Sequence, residues 1–470
     1  MRPNKKLGIG IDYGTTNSAA AIFDGHNLKL VDLDRESPVA SIMPSALYLN
    51  REFLPEVGWK AIELYLDDNA ERRVRLEKEE VGGFLLSISL TDGYFEDWVK
   101  VHAFTDRDLP SRLFRSVKTW LGTESLTTLR VFERNLSLIA LVTPVLDHIR
   151  EQMRQPAGPQ QAEPMAPHIG RPVLYHGGNA NTNSIALERM NQACRHAGFE
   201  SSLPYPEPVA ATLSFLWNGT HPDGMTYLTF DFGGGTLDLS VVKYRRNGFD
   251  ILGTHGIDLG GDDIDQQIYR QKVFPELGRD ALVASRNLSE SDKVQFRFNE
   301  FEERLLIWQH SHELNRNELR ELIFEGMREG GAVKHMLARL FKLITCNQSY
   351  RVFQSIEKAK RTLSEEYQAT IEVPEIGLEV ALSRCELPDI IANILGKVED
   401  TVDQTLDIAG LRPGEIDAVV CTGGSSRLPP VRELLQFRFP DKLVEHNVFT
   451  GIATGLAIAN YYGYDCDPDS

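Results

Sequence analysis

Apolar residues fall in two kinds of run along this chain. Short unbroken blocks closed by Gly, Thr, Asn or Asp read as buried strands, and longer stretches with apolar positions three and four apart read as helices. Two of the strand blocks look like copies of one unit. The first is Leu7-Gly-Ile-Gly-Ile-Asp12-Tyr-Gly14-Thr15-Thr16-Asn17, followed by the apolar run Ala19 to Phe23. The second is Tyr227-Leu-Thr-Phe-Asp231-Phe-Gly233-Gly234-Gly235-Thr236-Leu-Asp238, followed by Leu239 to Val242. Each reads strand, Asp, tight Gly/Thr turn, strand. A unit repeated near the start of each half predicts two structurally related lobes. A third block, Ala418 to Thr422, ends in Gly423-Gly424, and a helix is expected after Pro429-Pro430, since proline suits a first helical turn.

The helical pattern is clearest in two places. Val333, Met336, Leu337, Leu340, Phe341 and Ile344 form one apolar stripe, read as core. Val352, Ile356, Ala359 and Leu363 form another, with Glu357, Lys360, Arg361 and Ser364 together on a separate face. Phe298 to His312 also reads as a helix. The dense charge run Asp67 to Glu80 predicts a solvated helical face. Gly451 to Asn460, rich in Gly and Ala, suits close helix packing. From Gln155 to Pro172 the prolines are too dense for regular helix or strand. That segment reads as an exposed loop within the fold, the next strand starting over Arg171 to Tyr175. A linker between independent domains is the alternative.

Composition narrows the function. A chain of 470 residues suggests two to four compact units. The apolar share of 42% and charged share of 25% are those of a globular protein and exclude disorder on the scale of the chain. A net charge of -17 works against nucleic acid and anionic membranes as partners, although a cleft can still be locally positive. The five cysteines Cys194, Cys346, Cys385, Cys421 and Cys466 show neither zinc spacing nor a disulfide framework, as expected of free thiols in a reducing compartment. The basic start, Met1 to Lys6, runs into a strand and not into a signal-peptide core. Leu136 to Leu146 is too short to span a bilayer and contains Pro144. A cytoplasmic protein is expected.

The turns carry the candidate chemistry. Gly14 can take positive φ, so successive backbone N–H groups can point at one spot, where Thr15, Thr16 and Asn17 add side-chain donors. Asp12 would be costly at the end of a buried strand unless a metal ion or its waters satisfied it; a capped hairpin turn is the bland alternative. Gly233, Gly234 and Gly235 are expensive inside a strand pair unless the backbone must approach a ligand. Asp231 and Asp238 flank Thr236 there. Two such loops facing each other would grip β- and γ-phosphates with Mg²⁺ between them. The helix start after Gly423 and Gly424 is a further anion or nucleotide site, with a plain strand–turn–helix as the alternative. The polar face at Glu357 reads, by itself, as a solvated charge cluster.

The order of these motifs resembles the ATPase domain of the DnaK-type (70 kDa class) heat-shock chaperone family. A phosphate loop is followed by Pro206-Glu207-Pro208, a Gly-rich phosphate loop, Ile356-Glu-Lys-Ala-Lys-Arg-Thr-Leu-Ser364 and Gly423-Gly424-Ser425-Ser426-Arg427. The likeness spans nearly the whole chain and is weak in two insertions, about 67–112 and 264–350. It implies an α/β, actin-like (ribonuclease H-like) ATPase fold, with two related lobes around a central nucleotide cleft. Lobe I is expected over 1–205, lobe II over 206–445, a helix returning to lobe I over 446–460 and a tail over 461–470.

By the same resemblance, Glu357, Lys360, Arg361 and Ser364 contact adenine and ribose, and Gly424 to Arg427 complete the adenosine pocket. Lys118, in Phe114-Arg-Ser-Val-Lys118, is similar to the family's lysine that reaches the γ-phosphate and the attacking water. Glu207 is similar to the carboxylate that positions that water through Mg²⁺, and Gly260-Gly261-Asp262 to a segment lining the cleft. ATP or ADP and Mg²⁺ are the implied cofactors, with a protein client or co-chaperone as partner. Asp12, Asp231 and Glu207 would hold the metal largely through water. Glu207, Thr236 and Asp238 would orient the nucleophile, with no single general base assigned.

The chain also departs from the family. With the sequence running to Ser470, the family's hydrophobic linker and peptide-binding domain are expected to be missing, as in the short, YegD-like members. Phe449 stands where the family has an acidic residue. The proline-rich segment before Arg171 and the stretch Tyr175-His176-Gly-Gly-Asn179 differ from the usual hinge. The leading expectation is a slow Mg²⁺-dependent ATPase acting as a conformational switch in folding or assembly. A nucleotide-binding module without turnover comes second, then a small-molecule kinase of the same fold, then a filament-forming actin relative.

Overall fold

The duplication visible in the sequence is realised in the backbone. In a computed structural model that describes residues 6–464 except 71, 91–92, 107, 158–165, 176–179, 247 and 285–292, strands Gly8–Tyr13 and Asn17–Phe23 form one hairpin. Strands Thr226–Phe232 and Leu237–Arg245 form the other. The two turns close identically: Gly14 N–H donates to the Asn17 carbonyl at 3.1 Å, and Gly233 N–H to the Thr236 carbonyl at 3.0 Å. The first strand of each hairpin then pairs in parallel with a later strand, Gly8–Tyr13 with His168–Arg171 and Thr226–Phe232 with Ala418–Thr422. Leu203–Pro206 and Leu28–Leu30 flank the first sheet, and Gly248–Ile257 and Leu443–Glu445 the second.

Two helices cross between the sheets. Gly451–Tyr462 lies on the first hairpin, where a side chain at Gly8 or Gly10 would collide with the carbonyls of Ala457 and Ala453. Glu207–Trp217 lies on the second sheet. The helices meet where Gly455 abuts the Ala210 carbonyl, an approach that leaves no room for a Cβ. The Gly/Ala-rich stretch thus does what its composition suggests. Separate apolar cores fill the outer faces of the two sheets.

Three sequence expectations need correction. The charge run 67–80 is not one helical face: the helix Gly58–Asp68 ends there, and Leu76–Leu90 pairs with Gly93–Asp106 in a long hairpin. A partner strand satisfies the backbone of this polar stretch, and the Asp-Gly before Tyr94 is a strong hairpin signal. Phe298 to His312 is broken into Phe298–Glu300, Glu302–Leu305 and a turn at Ser311–Leu314. Its aromatic rings serve different neighbours, Phe298 against Phe274 and Trp308 against Tyr65 and Tyr350. Tertiary packing there overrides helix propensity.

The third correction lies between the halves. Helix Leu138–Ala157 and strand His168–Arg171 each take part of the proline-rich segment. The strand ends at Arg171, because Pro172 has no N–H to give the sheet. Residues 158–165 lie outside the described ones, as do His176 to Asn179 and the tail beyond Tyr464. The stripe within helix Gly331–Thr345 is core as expected, with Leu337, Leu340 and Ile344 fully buried.

The helix that leads into the first insertion meets the second. Tyr65, Trp308 and Tyr350 form a ring cluster with centroids 4.6 to 6.0 Å apart. Asn347 donates to the Tyr65 hydroxyl at 3.1 Å and to Asn69 Oδ1 at 2.9 Å. The two halves thus meet through the insertions as well as at the crossing helices. Among the described residues no helix is long and apolar enough to cross a membrane.

Candidate functional site

The two mirrored turns face each other. A Cβ on Gly234 would collide with Thr16 Oγ1, and one on Gly235 would stand 2.9 Å from Thr15 Oγ1. The second loop is braced from behind: the N–H groups of Gly261 and Asp262 donate to the Gly233 and Gly234 carbonyls at 3.0 and 2.9 Å, and Ser425 Oγ donates to the Gly233 carbonyl at 3.0 Å. Gly260 and Gly423 press so closely on this loop that neither position admits a side chain without a shift. Gly14 to Asn17, Gly233 to Thr236, Gly260, Gly261, Gly423 and Ser425 thus belong to one contiguous wall.

Four carboxylates and one ammonium lie at its floor. Asp12 is the next-to-last residue of the first strand, Asp231 and Asp238 stand directly opposite each other across the second hairpin, and Glu207 opens the crossing helix. Asp12, Lys118, Glu207, Asp231 and Asp238 are all buried. Lys118 comes from the short helix Val117–Trp120, entered through Ser116 in the left-handed region at φ 58°. Its ammonium lies 2.5 Å from Glu207 Oε1. Gly170 makes room for Glu207, whose Cγ and Oε1 lie 3.0 Å from where a Cβ on Gly170 would stand.

The electrostatics follow from burying this set. Burial first, and Glu207 second, push Asp12 up to about 7. The same two causes push Asp238 up to about 7, against its bonds to Thr236 and the Val173 N–H. Burial with Glu207, Asp238 and Asp12 around it raises Asp231 well above the carboxylate range. Burial alone would lower Lys118, but Glu207, Tyr175 and Asp12 outweigh it and hold the ammonium charged. Without a cation these four carboxyl groups cannot all ionise beside one lysine, and Asp238 Oδ2 is buried with no hydrogen-bond partner among the described residues. Such a set suits a divalent cation. Among the described residues no three His, Cys, Asp or Glu groups stand close enough to ligate one ion directly. A cation here would be held through its waters, beside the glycine-walled turns.

The expected adenosine contacts lie on helix Ser349–Glu365 and the turn Gly424–Arg427. Lys360 is turned inward, donating to the Gly261 carbonyl at 3.0 Å and pairing with Asp265 at 2.8 Å. Glu357 lies 3.6 Å from Arg115, which together with Lys360 outweighs burial and lowers its pKa. Arg361 is exposed, Ser364 half-buried, and Arg427 reaches Glu365 at 3.9 Å. The exposed Gly424 faces the Phe449 ring, which would lie 3.3 Å from a Cβ there. Sequence reasoning did not single out Arg115, Asp265 or the Ser116–Asp262 hydrogen bond of 3.2 Å. Arg115 and Ser116 sit within the motif quoted for Lys118, which is the one signal that could have found them.

Comparison with known proteins places the chain among relatives. The family described as Hsp70 protein matches residues 187–325 and 345–460. The chain is 22% identical over 443 residues to the chaperone protein DnaK of Mycoplasmopsis agalactiae, covering 92% of this chain and 54% of that protein. It is 22% identical over 471 residues to the DnaK of Mycoplasmoides gallisepticum, covering 97% and 60%. It is 28% identical over 264 residues to the DnaK of Trichormus variabilis, covering 54% and 30%. The chain spans about half the length of the first of these curated relatives.

Proposed function

The chain belongs to the Hsp70 protein family, whose fold is the actin-like ATPase fold, and on that footing we propose that it is a slow Mg²⁺-dependent ATPase working as a nucleotide-driven switch in protein folding or assembly. The observation that carries the reading is the buried set Asp12, Glu207, Asp231 and Asp238 around Lys118, beneath two facing Gly/Thr turns. Phosphoryl transfer to water needs positioning and charge neutralisation more than covalent chemistry. In this reading Mg²⁺ supplies neutralisation of the phosphate oxygens. Asp12, Asp231 and Glu207 hold its waters, and the N–H groups of both turns cradle the phosphates. Lys118 leaves Glu207 to meet the γ-phosphate, while Glu207, Thr236 and Asp238 orient the nucleophilic water. Lys360, Glu357, Arg361, Ser364 and the 424–427 turn take the nucleoside.

The partner proposed is a protein client or co-chaperone docking outside the nucleotide site, and the compartment proposed is the cytoplasm. A second reading, a nucleotide-binding module without turnover, is favoured by one observation: the apolar Phe449 ring borders Gly424 at the nucleoside turn. Single-turnover ATP hydrolysis with Mg²⁺, beside direct binding of ATP and ADP, separates the two. Tight binding with slow, clear hydrolysis supports the ATPase, whereas tight binding without hydrolysis favours the module.

A further inference from the structure

Lys78 and Phe104 stand opposite each other in the long hairpin of the first insertion, so their side chains share one face. Helix Asn317–Met327 of the second insertion starts against that face. The Arg316 guanidinium lies over the Phe104 ring, 4.2 Å from its centroid. Hairpin and helix start enclose a groove of about 590 Å³, a size that suits a small-molecule ligand. None of the residues assigned above to the nucleotide site lines it.

The groove is rich in cations for a chain of net charge -17. Arg75 and Asp108 pair with each other at 3.7 Å. Lys78, Arg316 and Arg320 also line it, and none of the three makes an ion pair among the described residues. Arg316 gives its Nε to the Glu313 carbonyl and Arg320 one N–H to Asn317 Oδ1, both neutral acceptors. Glu77 and Glu318 border the groove too, so its charges are mixed. The helix start adds donors. No side chain caps its first turn, which leaves those N–H groups for water or a ligand.

An independent observation comes from Asn315, which lines the same groove and is only 6% exposed. Its amide N–H donates to the Val74 carbonyl at 2.7 Å, which fixes the orientation of the group. Oδ1 is then left buried with no hydrogen-bond partner among the described residues. An unmet buried acceptor costs stability and calls for a donor. A bare anion would satisfy the cations and not Asn315, and water would satisfy Asn315 and not the cations. A ligand that meets both carries negative charge and a hydroxyl. Several cations beside an uncapped helix start match the multiple oxygens of a phosphate group.

We propose that this groove is a second ligand site, for a sugar phosphate: the phosphate lies among Lys78, Arg316, Arg320 and the first-turn N–H groups, and a sugar hydroxyl donates to Asn315 Oδ1. The site is separate from the nucleotide cleft and does not depend on the ATPase reading.

The test is calorimetric titration of the full chain with ribose 5-phosphate, without nucleotide and again with excess ADP. Saturable binding to one site per chain is expected, with the same affinity in both. Lys78→Gln and Arg320→Gln are each expected to weaken it about fivefold, and together at least about tenfold. Inorganic phosphate, which fills the cation pocket without reaching Asn315, is expected to bind at least about tenfold more weakly than the ester. Lys78 is exposed, so Lys78→Gln carries the test alone if Arg320→Gln does not fold. Absence of saturable binding overturns the proposal, as does an affinity unchanged by Lys78→Gln. Inorganic phosphate binding as tightly as the ester removes Asn315 from recognition and overturns it too. Loss of ribose 5-phosphate binding in excess ADP would place the ester in the nucleotide cleft and overturn the second site while leaving the nucleotide reading intact.

Discussion

The Val74 N–H lies 2.7 Å from the Thr345 carbonyl, joining the first insertion to the second. The Val74 carbonyl is gripped too, accepting from the Asn315 amide at 2.7 Å. If the cleft opens as proposed, the crossing helices, where Gly455 abuts Ala210, are expected to hold and the contacts through the insertions to part. Trp308 packs against both Tyr65 and Tyr350 there, and aromatic pairs contribute about 0.5–1.5 kcal/mol each beyond their burial. Trp308→Ala is expected to speed ADP release about five- to tenfold, with hydrolysis in a single turnover unchanged. Stopped-flow dissociation of a fluorescent ADP analogue reads this directly, and an unchanged off-rate would mean that the insertions do not limit opening.

The contact of Gly234 with Thr16 makes a sharper prediction about binding. Any side chain at 234 meets Thr16 Oγ1 and the loop that faces it. Gly234→Ala is therefore expected to weaken ATP binding by at least about tenfold, and Gly234→Asp, which adds a carboxylate near the phosphates, to abolish it. Calorimetry on both variants checks this. Full affinity in Gly234→Asp would mean that the phosphates sit elsewhere.

Much of this site could be read from the chain because a turn of Asp, Gly and Thr between strands is a local device. Gly14 and Gly233 close equivalent turns, and the sequence around each states the geometry in a few residues. The Gly/Ala run at Gly451 was equally readable, since only small residues permit such contacts. What escaped is non-local. Nothing in Phe298 to His312 breaks a helix. The segment breaks because Phe298 and Trp308 serve separate partners far away in sequence. The strand after Asp67 was hidden by its charges, whose partner is the returning strand.

Removing Lys118 is expected to separate binding from chemistry. Lys118→Ala should retain ATP affinity within about threefold and lose hydrolysis by at least about a hundredfold, as one charge-neutralising group is withdrawn from the transition state. It also strands Glu207, so the nucleotide-free protein should be less stable by about 3 kcal/mol, the usual loss when one member of a buried pair is removed. Single-turnover rates and denaturant titrations measure the two effects separately. Equal turnover in variant and parent would take Lys118 out of the mechanism.

Acid should act on the joined insertions through His312. The residue is buried, and burial first, then the neighbouring Arg112, push its imidazole down to about 3, against the pull of Glu313. An unfolded histidine titrates near 6.5. The folded protein therefore keeps His312 neutral over a range in which the unfolded chain binds a proton. Its contribution is fully present above about 6.5 and is lost progressively as the pH falls toward 3. At about 1.4 kcal/mol per pH unit, the loss between pH 7 and pH 5 amounts to about 2 kcal/mol. His312→Gln, which cannot titrate, removes that slope and leaves the carboxylate contributions common to both proteins. Urea unfolding of parent and variant at the two pH values gives the difference. Parallel stabilities would mean that His312 is protonated within the fold, facing Glu313 as a cation.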